Sequence, residues 1–341
     1  MSIRAQAAAA RSRRFRRQLW SLAGLLLLTI LLSLLLGRYP GPYFTPLATL
    51  RENALARTVV LNLRLPRILA AVFLGATLAA AGTTFQLIFR NPLVDAGFLG
   101  VSQGAAFGAS LAIVFLGGTA AAVQGSAAAF AFVGLAASYL MAQRLRLGDW
   151  VLRLVMAGIG VSAFYAAGTG VIKYLADPLK QLPDITFWLL GGLWAITWRD
   201  ILHILPVVAP ALIIIYLMRW RLNLLALQDT TAFALGAVPG RERLVMLIAA
   251  TAATAAVVSK AGQIGWVGLI VPHIARRVLG ADAQLTVPGG MFIGALFVLG
   301  CDNLARTVLS GEIPLGILTS LIGALVFFSL LLRNDLELKK R

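Results

Sequence analysis

RLPRILAAVFLGATLAAAGTTFQLIFRNPLVDAGFLGVSQGA, residues 64–105, begins with two arginines and then runs from Ile68 to Phe89 without a charge. A helix crosses a hydrocarbon layer of ~30 Å in ~20 residues, and this run has that length. Within lipid a segment must satisfy its own backbone hydrogen bonds, so the run is helical. GATLAAAG (75–82) and GVSQGAAFGAS (100–110) are dense in small residues. Such residues let helix backbones approach closely, which is how membrane helices hold together. Pro92 stops the helix and leaves nearby backbone groups that are tolerable only in a protein-lined place.

The rest of the chain reads the same way. Of 341 residues, 60% are hydrophobic and 13% charged, against roughly 25% charged in a soluble domain. Mean hydropathy is +0.87. Apolar runs predict spans at 18–37, 66–89, 97–117, 119–142, 151–175, 200–218, 243–262, 264–279, 287–309 and 314–332. The expected fold is an all-α polytopic membrane protein of about ten transmembrane helices. Residues 1–341 form one membrane domain, with a basic tail at 1–17 and a cytoplasmic loop at 222–243.

Charge sets the orientation. Arg4, Arg11, Arg13, Arg14, Arg16 and Arg17 precede the apolar run Leu19–Leu36, and no small-residue cleavage site follows it. This predicts a first span with a cytoplasmic N-terminus rather than a signal peptide. Ten crossings return the C-terminus to the same side. Arg90, Arg144, Arg146, Arg153, Arg219, Arg221, Arg241, Arg243, Arg276, Arg277, Arg333, Lys339, Lys340 and Arg341 then fall on the cytoplasmic side, as the orientation rule requires. The net charge of +17 therefore reports topology and lipid headgroups, not a nucleic-acid partner. Arg38, Arg51, Arg57, Arg64 and Arg67 run against the rule, in or beside one outer loop, and suggest an acidic partner there.

LNLLALQDTTAFALGAVPGRER, residues 222–243, is too polar to span and too apolar for a plain solvated loop. Asp229, Thr230 and Thr231 are placed to cap a helix start, Gly236 to end a helix, and Pro239 to limit its extension. From the residues alone, this piece either lies on lipid or docks on a partner. AGTTFQLIFRNPLVDAGFLG (81–100) and AGQIGWVGLIVPHIARRVLG (261–280) share an Ala-Gly start, an apolar stretch and a proline near a basic residue. They begin at opposite ends of their spans, the pattern of inverted halves in many transporters.

No stretch matches GxxxxGK[ST], and acid–base pairs or nucleophile triads are not evident, so no enzyme activity is expected. Cys301 is the single cysteine and reads as an apolar filler. His203 and His273 lie near opposite faces, so no metal site is expected, and Pro272-His273 reads as a helix break or an inter-helix hydrogen-bond partner. Asp302 and Arg306 stand at ion-pair spacing.

Residues 64–105, GQIGWVGLIVPHIARRVLGAD (262–282) and DNLARTVLSGEIPLGILTSLIGALVFFSLLLR (302–333), in that order, resemble the permease subunits of type II ABC importers, the iron-chelate and cobalamin permease family. Ala96 and Leu325 stand where that family has proline, and Gln228-Asp229 where it has Gly-Glu. The resemblance implies a homodimer around a central path, two cytoplasmic ATPase subunits that hold the ATP and Mg, and an extracytoplasmic substrate-binding protein. It places the chain in a bacterial or archaeal cytoplasmic (inner) membrane, with no cofactor of its own. It makes Leu222, Leu224, Leu225, Leu227, Asp229, Thr230, Phe233, Leu235 and Gly236 the ATPase-coupling residues. It makes Arg64, Arg67 and Arg306 the docking points for the binding protein, and Asn91 and Leu93 a cytoplasmic gate, with a second gate element near 148–151. Ferric siderophore is the leading cargo, with haem, cobalamin and molybdate behind it. The rival classes are an ion-gradient carrier, which would want an ionisable residue such as Lys260 or Asp302 within a span, and a membrane sensor or scaffold.

Overall fold

The computed structural model describes residues 3–338 apart from 40, 42, 147 and 310; the expectations for Lys339, Lys340 and Arg341 lie outside it. Side chains at 3–12, 14, 47, 331 and 333–338 also lie outside the described set, and with them those of Arg4, Arg11, Arg14 and Arg333. The helices in chain order are α1 (Ile3–Leu35), α2 (Leu47–Glu52), α3 (Ala54–Val59), α4 (Leu65–Ile88), α5 (Val101–Phe115), α6 (Ala120–Arg144), α7 (Trp150–Leu175) and α8 (Gln181–Leu190). They continue as α9 (Trp198–Leu217), α10 (Arg219–Leu225), α11 (Asp229–Ala234), α12 (Pro239–Ala261), α13 (Val267–Leu279), α14 (Ala283–Thr307) and α15 (Leu315–Leu338).

Each of the ten sequence-read spans overlaps one of these helices, and 97–117 also takes in a 3-10 turn at Ala96–Leu99 ahead of α5. Seven are long and apolar enough to cross a membrane: Phe15–Leu35, Ala54–Ile88, Ala120–Arg144, Trp150–Leu175, Trp198–Leu217, Pro239–Ala261 and Ala283–Thr307. Val101–Phe115 and Leu315–Leu330 are apolar but shorter, and α13 has 13 residues. Two features differ from the sequence reading. The arginine-rich segment between α1 and α4 is largely helix, because α2 and α3 fill it and a π-helical turn at Val60–Arg64 joins α3 to α4 without a break. The 176–199 connection carries α8, whose 10 residues are too few to register as a span.

Local chemistry sets the boundaries. Asn53, Thr119, Asp149 and Asp282 cap α3, α6, α7 and α14 by accepting backbone N–H bonds, and Thr197 with Asp200 forms a capping box on α9. α4 has Pro66 in its first turn and ends where Arg90 takes a φ of 51°.

α4 is the buried centre, packed on α12, α13 and α14. A Cβ on Gly75 would lie 2.1 Å from the Gly294 carbonyl oxygen, and one on Gly294 would lie 2.3 Å from that of Gly75. The α4–α14 crossing therefore rests on backbone meeting backbone. Gly82 and Gly268 make the same approach between α4 and α13. The two repeat-like segments thus pack against each other. Gln86 Nε2 donates to the carbonyls of Gly268 (3.3 Å) and Leu269 (3.1 Å), and Arg276 donates to Gln86 Oε1 at 2.6 Å. His273 Nε2 donates to the Pro92 carbonyl at 3.1 Å and so ties α13 to the turn after α4.

Candidate functional site

One end of the helix body carries α10 and α11. Met218 breaks α9, and α10 starts at the next residue. Leu222 and Leu225 are fully buried against the helix body, so they anchor the loop and offer no face to a partner; this corrects their placement among the contact residues. A short amphipathic helix reveals a period but not which face is covered. Leu224 is half-buried. Leu227, Phe233 and Leu235 are exposed, with Phe233 at 71%. Gly236 ends the motif at φ 83°, as its lack of a Cβ allows. Pro239 does not limit that helix but opens α12.

Asp229 does not cap α11, because Gln228 occupies the N-cap and makes no side-chain cap bond. Asp229 lies in the first turn, beside exposed Thr230, and accepts from Arg243 Nη1 at 2.9 Å and Nη2 at 2.7 Å. Arg243 is 1% exposed, donates also to the Leu225 carbonyl at 3.3 Å and stacks 5.3 Å from the Trp150 ring. Its hydrogen bonds lower the Asp229 carboxyl below its usual range, against partial burial and with help from the charges of Arg243 and Arg90. Asn223 ties α10 to the start of α14, donating to Asp282 Oδ1 and accepting from Ala283 N, both at 2.8 Å. Arg221 closes the loop onto Glu242 (3.2 Å) and the Gly236 carbonyl (2.9 Å). The loop is thus a braced platform with an apolar outer face.

The turn after α4 lies at the same end. Asn91 and Leu93 are exposed there, and Asn91 Oδ1 accepts from Leu93 N at 2.9 Å. Arg90 pairs with Asp149 at 3.1 Å, and Asp149 caps α7 through Leu152 N at 2.9 Å. This brings the two expected gate segments together beside Trp150 and Arg243. Asp149 and Trp150 lie in the expected 148–151 segment, but sequence reasoning missed Arg243 as a member of this cluster. Its one local signal was an arginine just inside α12, which is no signal by itself.

At the opposite end the three arginines expected to face a partner are mostly buried, at 7%, 9% and 8% exposure for Arg64, Arg67 and Arg306. Arg64 donates to the carbonyls of Leu34 and Tyr39 and to Thr45 Oγ1, at 3.0, 2.8 and 3.0 Å. Arg67 binds Asp302 at 2.8 Å and forks onto Glu312 at 2.7 and 2.8 Å. Arg306 donates to the Ser33 and Leu36 carbonyls and Asn303 Oδ1, and stands 3.6 Å from Asp302. The main partner of Asp302 is therefore Arg67, with Arg306 second. All three arginines, with Arg38 and Glu312, line a cavity of about 360 Å³. Arg38, Arg51 and Arg57 are exposed nearby in sequence. Lys260, also set at a helix end, binds Asp200 at 2.8 Å and Gln124.

A family model described as the FecCD transport family matches residues 25–333. A Helicobacter pylori permease protein named for iron chelatin transport is 40% identical over 278 residues, covering 81% of this chain and 83% of its own. The molybdate import system permease MolB of Haemophilus influenzae is 37% identical over 316 residues, covering 91% of this chain and 93% of its own. Among solved structures, a transporter described as of metal-chelate ABC type, in an inward-facing conformation, superposes with a TM-score of 0.86 at 36% identity. It covers 93% of this chain and 99% of that one.

Proposed function

The chain belongs to the FecCD transport family, and on that footing we infer that it is the permease subunit of an ATP-driven importer of a metal chelate, ferric siderophore first. Two copies enclose the path. Two ATPase subunits carrying ATP and Mg dock on the α10–α11 platform, and a substrate-binding protein delivers cargo at the opposite end. The platform faces the cytoplasm of a bacterial or archaeal cell, as do both termini, and the Arg38–Arg306 end faces outward.

The platform is the observation that carries this reading. A folded loop that presents Leu227, Phe233 and Leu235 outward while anchored through Asn223, Arg221 and Arg243 suits a rigid groove partner. Force applied there reaches the Arg90 turn through Trp150 and Asp149, so nucleotide-driven closure would move Asn91 and Leu93 in alternating access. Lys260 and Asp302 are both neutralised by ion pairs, which disfavours a carrier driven by an ion gradient.

The binding protein docks on the four-arginine cavity. Its guanidinium groups are held in place by internal bonds, and carboxylates from the partner would meet them at the rim. Such pairing steers encounter and register more than it adds affinity. Charge reversal at Arg64, Arg67 or Arg306 would break internal pairs, so Arg38→Glu, at an exposed rim position, is the cleaner test of docking.

Purification of tagged protein in mild detergent from its native host, with mass spectrometry of what accompanies it, tests the reading. A stoichiometric ATPase is expected with the native chain and is lost with Phe233→Asp/Leu235→Asp. A chain that emerges alone from several mild detergents contradicts the reading.

A further inference from the structure

Of the two carboxylates that hold Arg67, one is fixed and one is exchangeable. Asp302 lies within α14, its side chain is wholly buried, and it takes Arg67 Nε at 2.8 Å. Glu312 lies outside any helix, between α14 and α15, and its side chain is 41% exposed. Arg67 Nη1 donates to both Glu312 oxygens, at 2.7 and 2.8 Å. Lifting Glu312 away would return a half-exposed carboxylate to water and strand nothing, because Asp302 keeps Nε. Burial sets the difference. A buried charge is costly to leave without its partner, whereas an ion pair open to water is worth little net.

Glu312 also sits on a mechanical junction. It stands three residues before Leu315, where α15 begins. Ile313 N donates to the Ala305 carbonyl at 3.1 Å, and Leu315 N donates to that of Gly191 at 2.9 Å. A Cβ on Gly316 would lie 2.4 Å from the Leu190 carbonyl oxygen, so the first turn of α15 rests directly on the end of α8. The far side of this contact returns to the same place. Leu193 and Trp194, just after Gly191, line the arginine cavity together with Glu312. Four arginines line that cavity, and Glu312 is the one acid among its lining residues.

We propose that Glu312 is a built-in stand-in for the docking partner's carboxylate: it occupies Arg67 in the free permease, is displaced when the binding protein docks, and on leaving loosens the contact between α15 and α8. The proposal rests on the reading of the arginine cavity as the docking surface. The exchange conserves ion pairs, since one carboxylate leaves Arg67 as another arrives. Little affinity is gained at Arg67 itself, and the free energy of docking goes instead into moving residue 312. An incoming carboxylate can take Arg67 from Glu312. An amide or hydroxyl cannot, because a charge-assisted hydrogen bond is roughly twice as strong as a neutral one. Docking on the outer face is thereby passed to two membrane-embedded elements through one side chain.

The test uses the permease–ATPase complex in nanodiscs, with the binding protein of the same host as the probe. Affinity for the native complex and for Arg38→Glu checks the docking surface. Native binding that Arg38→Glu weakens is expected; no native binding, or equal binding by both, overturns the docking reading and the stand-in with it. Amide hydrogen exchange in peptides covering 311–319 of the native chain checks the stand-in alone. Exchange at Ile313 and Leu315 should rise on docking, and unchanged or slowed exchange overturns the stand-in while leaving the docking surface in place. Glu312→Gln removes the competing charge and keeps an acceptor. It should tighten docking about fivefold, the worth of a partly exposed ion pair, and raise exchange at 313 and 315 before any partner is added. Glu312→Asp, which keeps the charge on a shorter arm, should fall between the two. Docking weakened or unchanged by Glu312→Gln overturns the stand-in. If that variant fails to assemble, the exchange measurement on the native chain decides.

Discussion

Removing the Asp229 carboxylate should strand Arg243. The Arg243 side chain is 2% exposed and that of Asp229 is 52% exposed. Deleting one partner of a buried ion pair costs ~3–5 kcal/mol, because the survivor stays buried and uncompensated. Here the lost partner is half in water, which can reach part of the vacated place, so Asp229→Ala is expected to cost ~2–3 kcal/mol. Arg243→Met removes the buried charge, refills most of its volume and returns Asp229 to water, for ~1 kcal/mol. The double variant should match Arg243→Met, since nothing is then stranded. The assay is reversible unfolding of the purified chain in mixed micelles titrated with a denaturing detergent. Equal costs for the two single variants, or a cost below ~0.5 kcal/mol for Asp229→Ala, would refute the reasoning. The pH dependence has a definite sign. The lowered Asp229 pKa means the unfolded chain binds more protons between the lowered value and the ordinary ~3.9. The pair's contribution is present above that window and lost as pH falls through it, and Arg243→Met should abolish this component.

Arg67→Ala leaves Asp302, which is wholly buried, with only Arg306 at 3.6 Å; a loss of ~3–5 kcal/mol is expected, measured by the same unfolding, and Arg67→Lys should recover less than half. Gly75→Val drives a side chain into the Gly294 backbone, so α4 and α14 must separate; the folded fraction recovered from membranes should fall sharply, whereas Gly24→Val, with open space around it, should change nothing. Removing the Arg90–Asp149 pair with Arg90→Gln should leave ATPase binding intact and raise the ATP hydrolysed per cargo moved, measured in proteoliposomes.

Span positions were legible because hydropathy acts locally: a run such as 66–89 reveals itself without its neighbours. The α10–α11 platform was half legible. The apolar spacing of 222–235 announced an amphipathic piece, but which leucines face inward depends on α12 and α14, which pack on α10. The arginine end was least legible. Arg67 is 235 residues from Asp302 and 245 from Glu312, so nothing near RLPR tells that the arginine is already paired. Arg243 was counted only as an orientation charge, since its partners Asp229 and Trp150 come from two other segments.

The central proposal is that ATP hydrolysed by subunits docked on the α10–α11 platform drives cargo through this chain. It is tested most directly in vesicles holding the permease and its co-purified ATPase, loaded with cargo and binding protein on one side and ATP on the other, against vesicles given only an imposed proton or sodium gradient. The account predicts uptake with ATP and none with a gradient, and loss of the ATP-driven uptake with Phe233→Asp/Leu235→Asp. Uptake that follows the gradient, proceeds without ATP and survives that double variant would contradict it.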